Sequence, residues 1–475
     1  MNNNMQPSGA SQRAPHDRRH RWKVLGVGFA ANASFAAAFS GIPTTAVFLR
    51  SGYHIGNSGL GLVLGMLGLG IALSELPWGL LTDRWGDRKV LLLGLGATAA
   101  ALAALALFVV PRPASVPGLV PLAAGLLLVG LLGGSVNGSS GRAVMAWFHE
   151  GERGLAMSIR QTAVPAGGGV GALMLPPLAM HIGFGAVYGV LAALCAVTAG
   201  FAWRWLVEPP DETAAASAVA LTSAINRAAI HSANHAVNHV ANHTATHSAP
   251  AHARETIAHA RPHPAPSGRN PLTDPGAWRV AFGIGALCVP QLAVLTFATV
   301  FLHDVRHAGV VTLSATMAAV QGGAAIARVW SGHWTDRHGN RRAYMRACSL
   351  VTAVLFAMLA VVVALLAGQV SGDHVAGTAA LVGLIVAGGI AASAWHGVAF
   401  TELATLAGTQ RAGTALAMGN TFAFMTLFVT PLAIPLLLTL GAWPAVWAAT
   451  SVCALIALPV FPRATAIRVT KPARA

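Results

Sequence analysis

The feature that most confines this chain is a succession of twelve apolar runs, each about 20 residues or longer and separated by shorter polar breaks. In helical form roughly 20 apolar residues span the hydrocarbon core of a bilayer, about 30 Å. A backbone in lipid must satisfy its own hydrogen bonds, which leaves helices and closed barrels. The runs cover about 24–48, 58–80, 90–110, 119–146, 154–181 and 184–206. They resume at about 279–302, 309–331, 343–367, 376–402, 412–438 and 442–462. Charged residues make up only 9% of the chain and hydrophobic ones 55%, whereas a soluble domain carries about 25% charge. The expected fold class is therefore an all-α polytopic membrane protein with twelve transmembrane helices.

The same pattern excludes several functions. A formal net charge of +15 would suit nucleic acid, but the basic residues fall in short clusters between apolar runs. That is where loops meet an anionic membrane surface, so the partner expected is the bilayer and not nucleic acid. Cys195, Cys288, Cys348 and Cys453 all lie inside apolar runs, where cysteine behaves as a small hydrophobe. No disulfide, metal centre or cofactor is expected. The first 23 residues are polar and basic, without the apolar core of a signal peptide. No clustered nucleophiles or paired carboxylates suggest an enzyme.

The basic residues also set an orientation. Eighteen of them (Arg13, Arg84, Lys89, Arg337 and Arg411 among them) fall in breaks on one side, against Arg50, Arg112 and Arg306 on the other. Both termini and the long central connection are thus expected in the cytoplasm. The membrane expected is the plasma membrane, the inner one if the source is Gram-negative.

One charged string is written twice. Gly79-Leu80-Leu81-Thr82-Asp83-Arg84-Trp85-Gly86-Asp87-Arg88-Lys89 returns, 253 residues on (79 to 332), as Gly332-His333-Trp334-Thr335-Asp336-Arg337-His338-Gly339-Asn340-Arg341-Arg342. Val47-Phe48-Leu49 recurs as Val300-Phe301-Leu302, Gly133-Gly134 as Gly388-Gly389, and Leu155-Ala156-Met157 as Leu416-Ala417-Met418. Two halves of one orientation form a parallel repeat about an axis along the membrane normal. The organisation expected is a tail (1–23), a six-helix half (24–206), a linker (207–275), a second half (276–462) and a tail (463–475). The linker is too rich in Ala, His, Asn, Ser and Pro to bury a core and is expected to be disordered. Its His231, His235, His239, His243 and His247 read as a slipped tetrapeptide repeat before they read as metal ligands. Glycines at helical spacing, such as Gly61, Gly65, Gly68 and Gly70, read as packing faces between membrane helices.

These residues resemble the major facilitator superfamily. Its loop between helices two and three reads Gly-x-Leu-x-Asp-Arg-x-Gly-Arg-Arg/Lys. Here Gly79, Asp83, Arg84, Gly86, Arg88 and Lys89 match, with Asp87 as an extra residue in the pattern. Gly332, Asp336, Arg337, Gly339, Arg341 and Arg342 match between helices eight and nine. The resemblance covers all but the tails and the linker. It implies a secondary transporter that works by alternating access, with these residues latching the cytoplasmic side. Glu75 and Arg328 occupy equivalent positions four residues before each string and are expected to join that gate.

Charges inside apolar spans are costly and mark function. Arg142 and Arg160, at similar depth on consecutive helices, offer a double positive charge that the second half lacks, suited to an anion. His396 could carry a proton. The resemblance places helices one, four, seven and ten around the cavity, so Asn32, Asn137 and Gln291 are further candidates to line it. The function expected is proton-coupled transport of a small organic anion by a monomer. The alternatives are a multidrug antiporter, weakened by the basic balance of buried charge, and a non-transporting sensor, which only the long linker favours.

Overall fold

The computed structural model describes residues 15–148, 150–207, 270–367, 374–407 and 411–461. Ten helical segments are long and apolar enough to cross a membrane once: α1 Arg19–Gly52, α2 Asn57–Trp85, α3 Asp87–Phe108, α4 Leu119–Trp147, α5 Leu155–His181, α6 Phe184–Trp205, α7 Pro275–Arg306, α8 Val310–His338, α9 Arg341–Leu366 and α10 Val375–Ala407. An eleventh, Gly413–Val460, has 48 residues, or about 72 Å of helix at 1.5 Å per residue. That is more than twice the bilayer core. The helix breaks where Gly441 (φ −167°, ψ 28°) and Ala442 (φ 53°, ψ −156°) leave helical geometry, just before Pro444. It therefore crosses as α11 (413–440) and α12 (443–460), and the twelve helices that the apolar runs predict are present. Among the described residues the fold is all-α, with one isolated bridge between Arg112 and Ser115 outside the helices.

The duplicated strings are less turn-like than the sequence suggests. The apolar run ends near 80, but α2 continues to Trp85 and α3 begins at Asp87. No residue between Leu80 and Trp85 disfavours a helix, so only Gly86 breaks it, at φ 87° and ψ 161°. The copy breaks at Gly339, φ 61° and ψ 22°. Both conformations have positive φ, which glycine adopts without a Cβ clash. Asp83, Arg84, Asp336 and Arg337 therefore sit on the last turns of α2 and α8, where the helix fixes their direction.

The halves meet symmetrically. Within the first half α1 packs on α5 and α6, α2 on α4, and α3 on α6. Between halves, α2 packs on α11 and α5 on α8. Shifting each helix by six turns one pair into the other, as a two-fold repeat requires. At residue level Gly68 faces Leu427, and Gln321, 253 residues after Gly68, faces Gly168. Small residues allow this approach. A Cβ on Gly68 would lie 2.7 Å from the Leu427 carbonyl carbon, one on Gly65 would lie 2.9 Å from the Phe428 oxygen, and one on Gly61 would overlap the Pro431 carbonyl.

These contacts lie away from the duplicated turns. Gly61, Gly65 and Gly68 occupy the part of α2 nearer Asn57. Arg50 and Asp304, at the far ends of α1 and α7, form a two-pronged ion pair between the halves, with one prong at 2.6 Å. Toward the turns the same helices leave apolar side chains uncovered. On α2 Leu76 and Leu80 are each 63% exposed, and on α8 Ile326 is 73% and Val329 54% exposed. The close glycine contacts and the ion pair between the halves described here thus lie on the side away from the turns.

Candidate functional site

Besides α1, which is interrupted over 40–45, three helices of the first ten are interrupted near polar side chains. α4 is interrupted at Gly134, α5 at Thr162, and α10 over 392–395. Asn137 and Ser140 follow the break in α4, and His396 follows the break in α10.

In the first half the breaks assemble a buried network from four helices. Arg160 on α5 is 5% exposed. Its Nε donates to Ser140 Oγ at 3.1 Å, and its Nη2 donates to the Asn137 carbonyl at 2.6 Å and to Ser140 Oγ at 3.0 Å. Asn32 on α1 donates to the same hydroxyl at 2.8 Å, and its Oδ1 lies 3.4 Å from Arg160 Nη2. Asn137 Nδ2 donates to Glu75 Oε1 on α2 at 2.8 Å. Asn137 thus joins one buried cation to one buried carboxylate, its carbonyl facing Arg160 and its amide facing Glu75. A buried charge is tolerable only with such partners.

Of the residues singled out in sequence, four come together here: Glu75, Asn137, Arg160 and Asn32. Arg142 does not join them. Its Nη1 donates to Asp83 Oδ1 at 3.1 Å and to the Thr82 carbonyl at 2.6 Å, and its Nε lies 3.5 Å from Asp87 Oδ1. The two arginines of the expected double charge therefore point apart, because each took the acceptors nearest its own helix face. Arg142 ties α4 to the turn between α2 and α3.

The second turn is held in a similar manner. Arg341 Nη2 donates to Asp336 Oδ1 at 2.8 Å, and Arg342 Nε donates to Glu402 Oε1 on α10 at 2.7 Å. Arg88 donates to the Trp203 carbonyl of α6 at 2.9 Å. Among the described residues Arg84, Lys89 and Arg337 have no hydrogen-bond or ion-pair partner. The pairs of Asp83 and Asp336 lie within their own halves in this structure, so neither aspartate bridges the halves here.

The second half differs from the first at its centre. Arg328, equivalent to Glu75, donates from Nε to the Ser393 carbonyl at 3.3 Å and meets no carboxylate among the described residues. His396 on α10 lies within range of its charge, against the Trp395 ring at 4.1 Å between centroids. His396 Nδ1 and Gln291 Oε1 on α7 are buried without a partner among the described residues.

Two features were missed in sequence. Ser140 lies one helical turn after Asn137, and that spacing was a usable signal. Asp304 was an acid beside the sparse basic residues of the far side. Its partnership with Arg50 needs the fold, because 254 residues separate them. The histidine stripe at 231–247 lies outside the described residues, as does nearly all of the expected linker.

Comparison with known proteins gives a consistent family. The model of the Major Facilitator Superfamily matches residues 27–372. A protein of Mycobacterium tuberculosis (strain H37Rv) described as an uncharacterized MFS-type transporter is 29% identical over 453 residues, covering 93% of this chain and 85% of that protein. A counterpart with the same description in strain CDC 1551 is 28% identical over the same length and coverage.

Proposed function

The chain belongs to the major facilitator superfamily and is a multi-pass membrane transporter, and from that premise we propose that it is a proton-coupled symporter of small organic anions. It works by alternating access in the plasma membrane, with both termini in the cytoplasm. The observation that carries this reading is the Glu75–Asn137–Arg160 network. With Glu75 ionised, the charge of Arg160 is balanced within the protein. When Glu75 takes a proton, that balance is lost and Arg160 offers a net positive charge to an anion. Proton and anion then favour each other's binding, which is the coupling a symporter needs.

The packing supports the access cycle. Contacts between the halves are concentrated on the side away from the turns, and the uncovered Leu76, Leu80, Ile326 and Val329 stand on the helices that form those contacts. Leu76, about two turns beyond the glycine stripe of α2 and nearest to its face, is the side chain best placed to close there when the far side opens. On this reading the pairs Asp83–Arg142 and Asp336–Arg341 hold each turn in shape while the halves rock. The preponderance of basic residues on the turn side supports a cytoplasmic assignment for that side.

The test is uptake of a panel of radiolabelled carboxylates into proteoliposomes under an imposed pH gradient. The reading expects at least one to accumulate only when the gradient is inward. In Glu75→Gln, counterflow exchange should persist while the gradient no longer drives accumulation. Gradient-driven accumulation by that variant equal to wild type would remove Glu75 as the coupling residue.

A further inference from the structure

We propose that Arg328 forms a second anion subsite, so that the substrate is a dicarboxylate bridging Arg160 of one half and Arg328 of the other. The proposal deepens the symport reading above and rests on it. Three observations lead there. First, Arg328 is a cation inside a membrane span with only the Ser393 carbonyl as partner among the described residues. An arginine in that position is costly unless something neutralises it, and among the described residues its Nη1 and Nη2 groups make no hydrogen bond. A guanidinium fork matches a carboxylate in two-point geometry.

Second, the two arginines sit at one level. α5 and α8 run antiparallel and touch where Gly168 meets Gln321. Arg160 lies eight residues from that contact toward the turns and Arg328 seven, about 12 and 10 Å at 1.5 Å per residue. Seven residues is nearly two full turns, so Arg328 shares the face of α8 that presents Gln321 to α5. The level lies on the turn side of that contact.

Third, there is room and unmet polarity around both groups. Arg160 spends Nε and Nη2 on the protein, while among the described residues Nη1 has no acceptor. The guanidinium packs over Gly141, where a Cβ would lie 3.5 Å from Arg160 Cζ. Next to the two sites, a Cβ on Gly138 or on Gly397 would meet no atom within 4 Å. Within range of the Arg328 charge, His396 Nδ1 is a buried polar atom without a partner among the described residues, and an Nδ1–H would donate to a carboxylate. With Glu75 protonated, Arg160 and Arg328 present two positive charges to two negative ones.

The test compares succinate and glutarate with acetate and butyrate as probes of the purified full-length protein, by thermal shift and by competition for uptake. Wild type should bind a dicarboxylate at least tenfold more tightly than the monocarboxylate of similar length. In Arg328→Gln that preference should collapse to less than about twofold, with the monocarboxylate still bound through Arg160. Arg328→Lys, which keeps the charge, should restore part of it and shows whether loss in the glutamine variant reflects folding. An unchanged dicarboxylate preference in Arg328→Gln would overturn the subsite and leave the symport reading standing. Absence of binding by any of the four probes to wild type would overturn both.

Discussion

Asn137 is the residue through which the two buried charges of the first half are joined. Its carbonyl and its side-chain amide serve Arg160 and Glu75 respectively, so Asn137→Ala keeps the first contact and removes the second. The expected outcome is transport that persists at reduced rate with weakened coupling, read as a fall of severalfold in accumulation against constant exchange. Unchanged accumulation would show that the amide is dispensable. At the first turn, Asp83 and Arg142 are both substantially exposed, and a surface pair contributes about 0–1 kcal/mol. Asp83→Asn should therefore leave the melting temperature within a few degrees while slowing transport at least fivefold. An unslowed transporter would leave Asp83 with an anchoring role only. Glu75, Asn32, Asn137 and Arg160 were legible in sequence because polar groups inside apolar runs stand out against their neighbours. Their grouping was not legible, since depth along a helix can be counted from its ends, whereas the direction of a side chain depends on the packed rotation. That is why Arg142 and Arg160 read as one double charge and prove to serve different partners.

At the scale of elements, the two turns test how much the backbone requires glycine. Gly86, with φ 87° and ψ 161°, occupies a region that is essentially reserved for glycine, whereas Gly339 is left-handed α, where asparagine is also accepted. Gly86→Ala should cost about 1–3 kcal/mol and lower the melting temperature in detergent. Gly339→Asn should be nearly neutral, and equal destabilisation by the two would contradict the distinction. The glycine stripe on α2 makes a stronger demand. At Gly68 a Cβ would already lie 2.7 Å from backbone, so Gly68→Leu should force α2 from α11 and stop transport while the chain still inserts. The turn strings were visible in sequence by their repetition, and the glycine stripes by their period. The long reach of α2 and α8 into the charged strings was not, because charge reads as loop until the absence of a helix breaker is weighed. The break at Gly441–Ala442 falls where the sequence already separates two apolar runs, about 412–438 and 442–462.

On the scale of the whole molecule, the repeat predicts both the pairing of α2 with α11 and that of α5 with α8, and the equivalence of Gly68 and Gln321 shows it residue by residue. The halves are not equivalent where chemistry is concerned. Glu75 on α2 faces an amide and lies near an arginine, while its counterpart Arg328 is itself the arginine. The repeat therefore builds a frame of two equivalent halves, and its departures from symmetry lie in the buried charges to which the proposed function assigns the cargo. The central claim is that this frame alternates between a state closed on the far side and one closed on the turn side. The direct measurement is double electron–electron resonance with spin labels at Leu76 and Thr421 on the turn side and, separately, at the exposed Ser51 and His307 on the far side, which spares the Arg50–Asp304 pair. It is made after replacing the four native cysteines. The account predicts two distances for each pair, with acidification and added carboxylate shifting the pairs in opposite directions, so that one side closes as the other opens. A single unshifted distance for both pairs under every condition would contradict it.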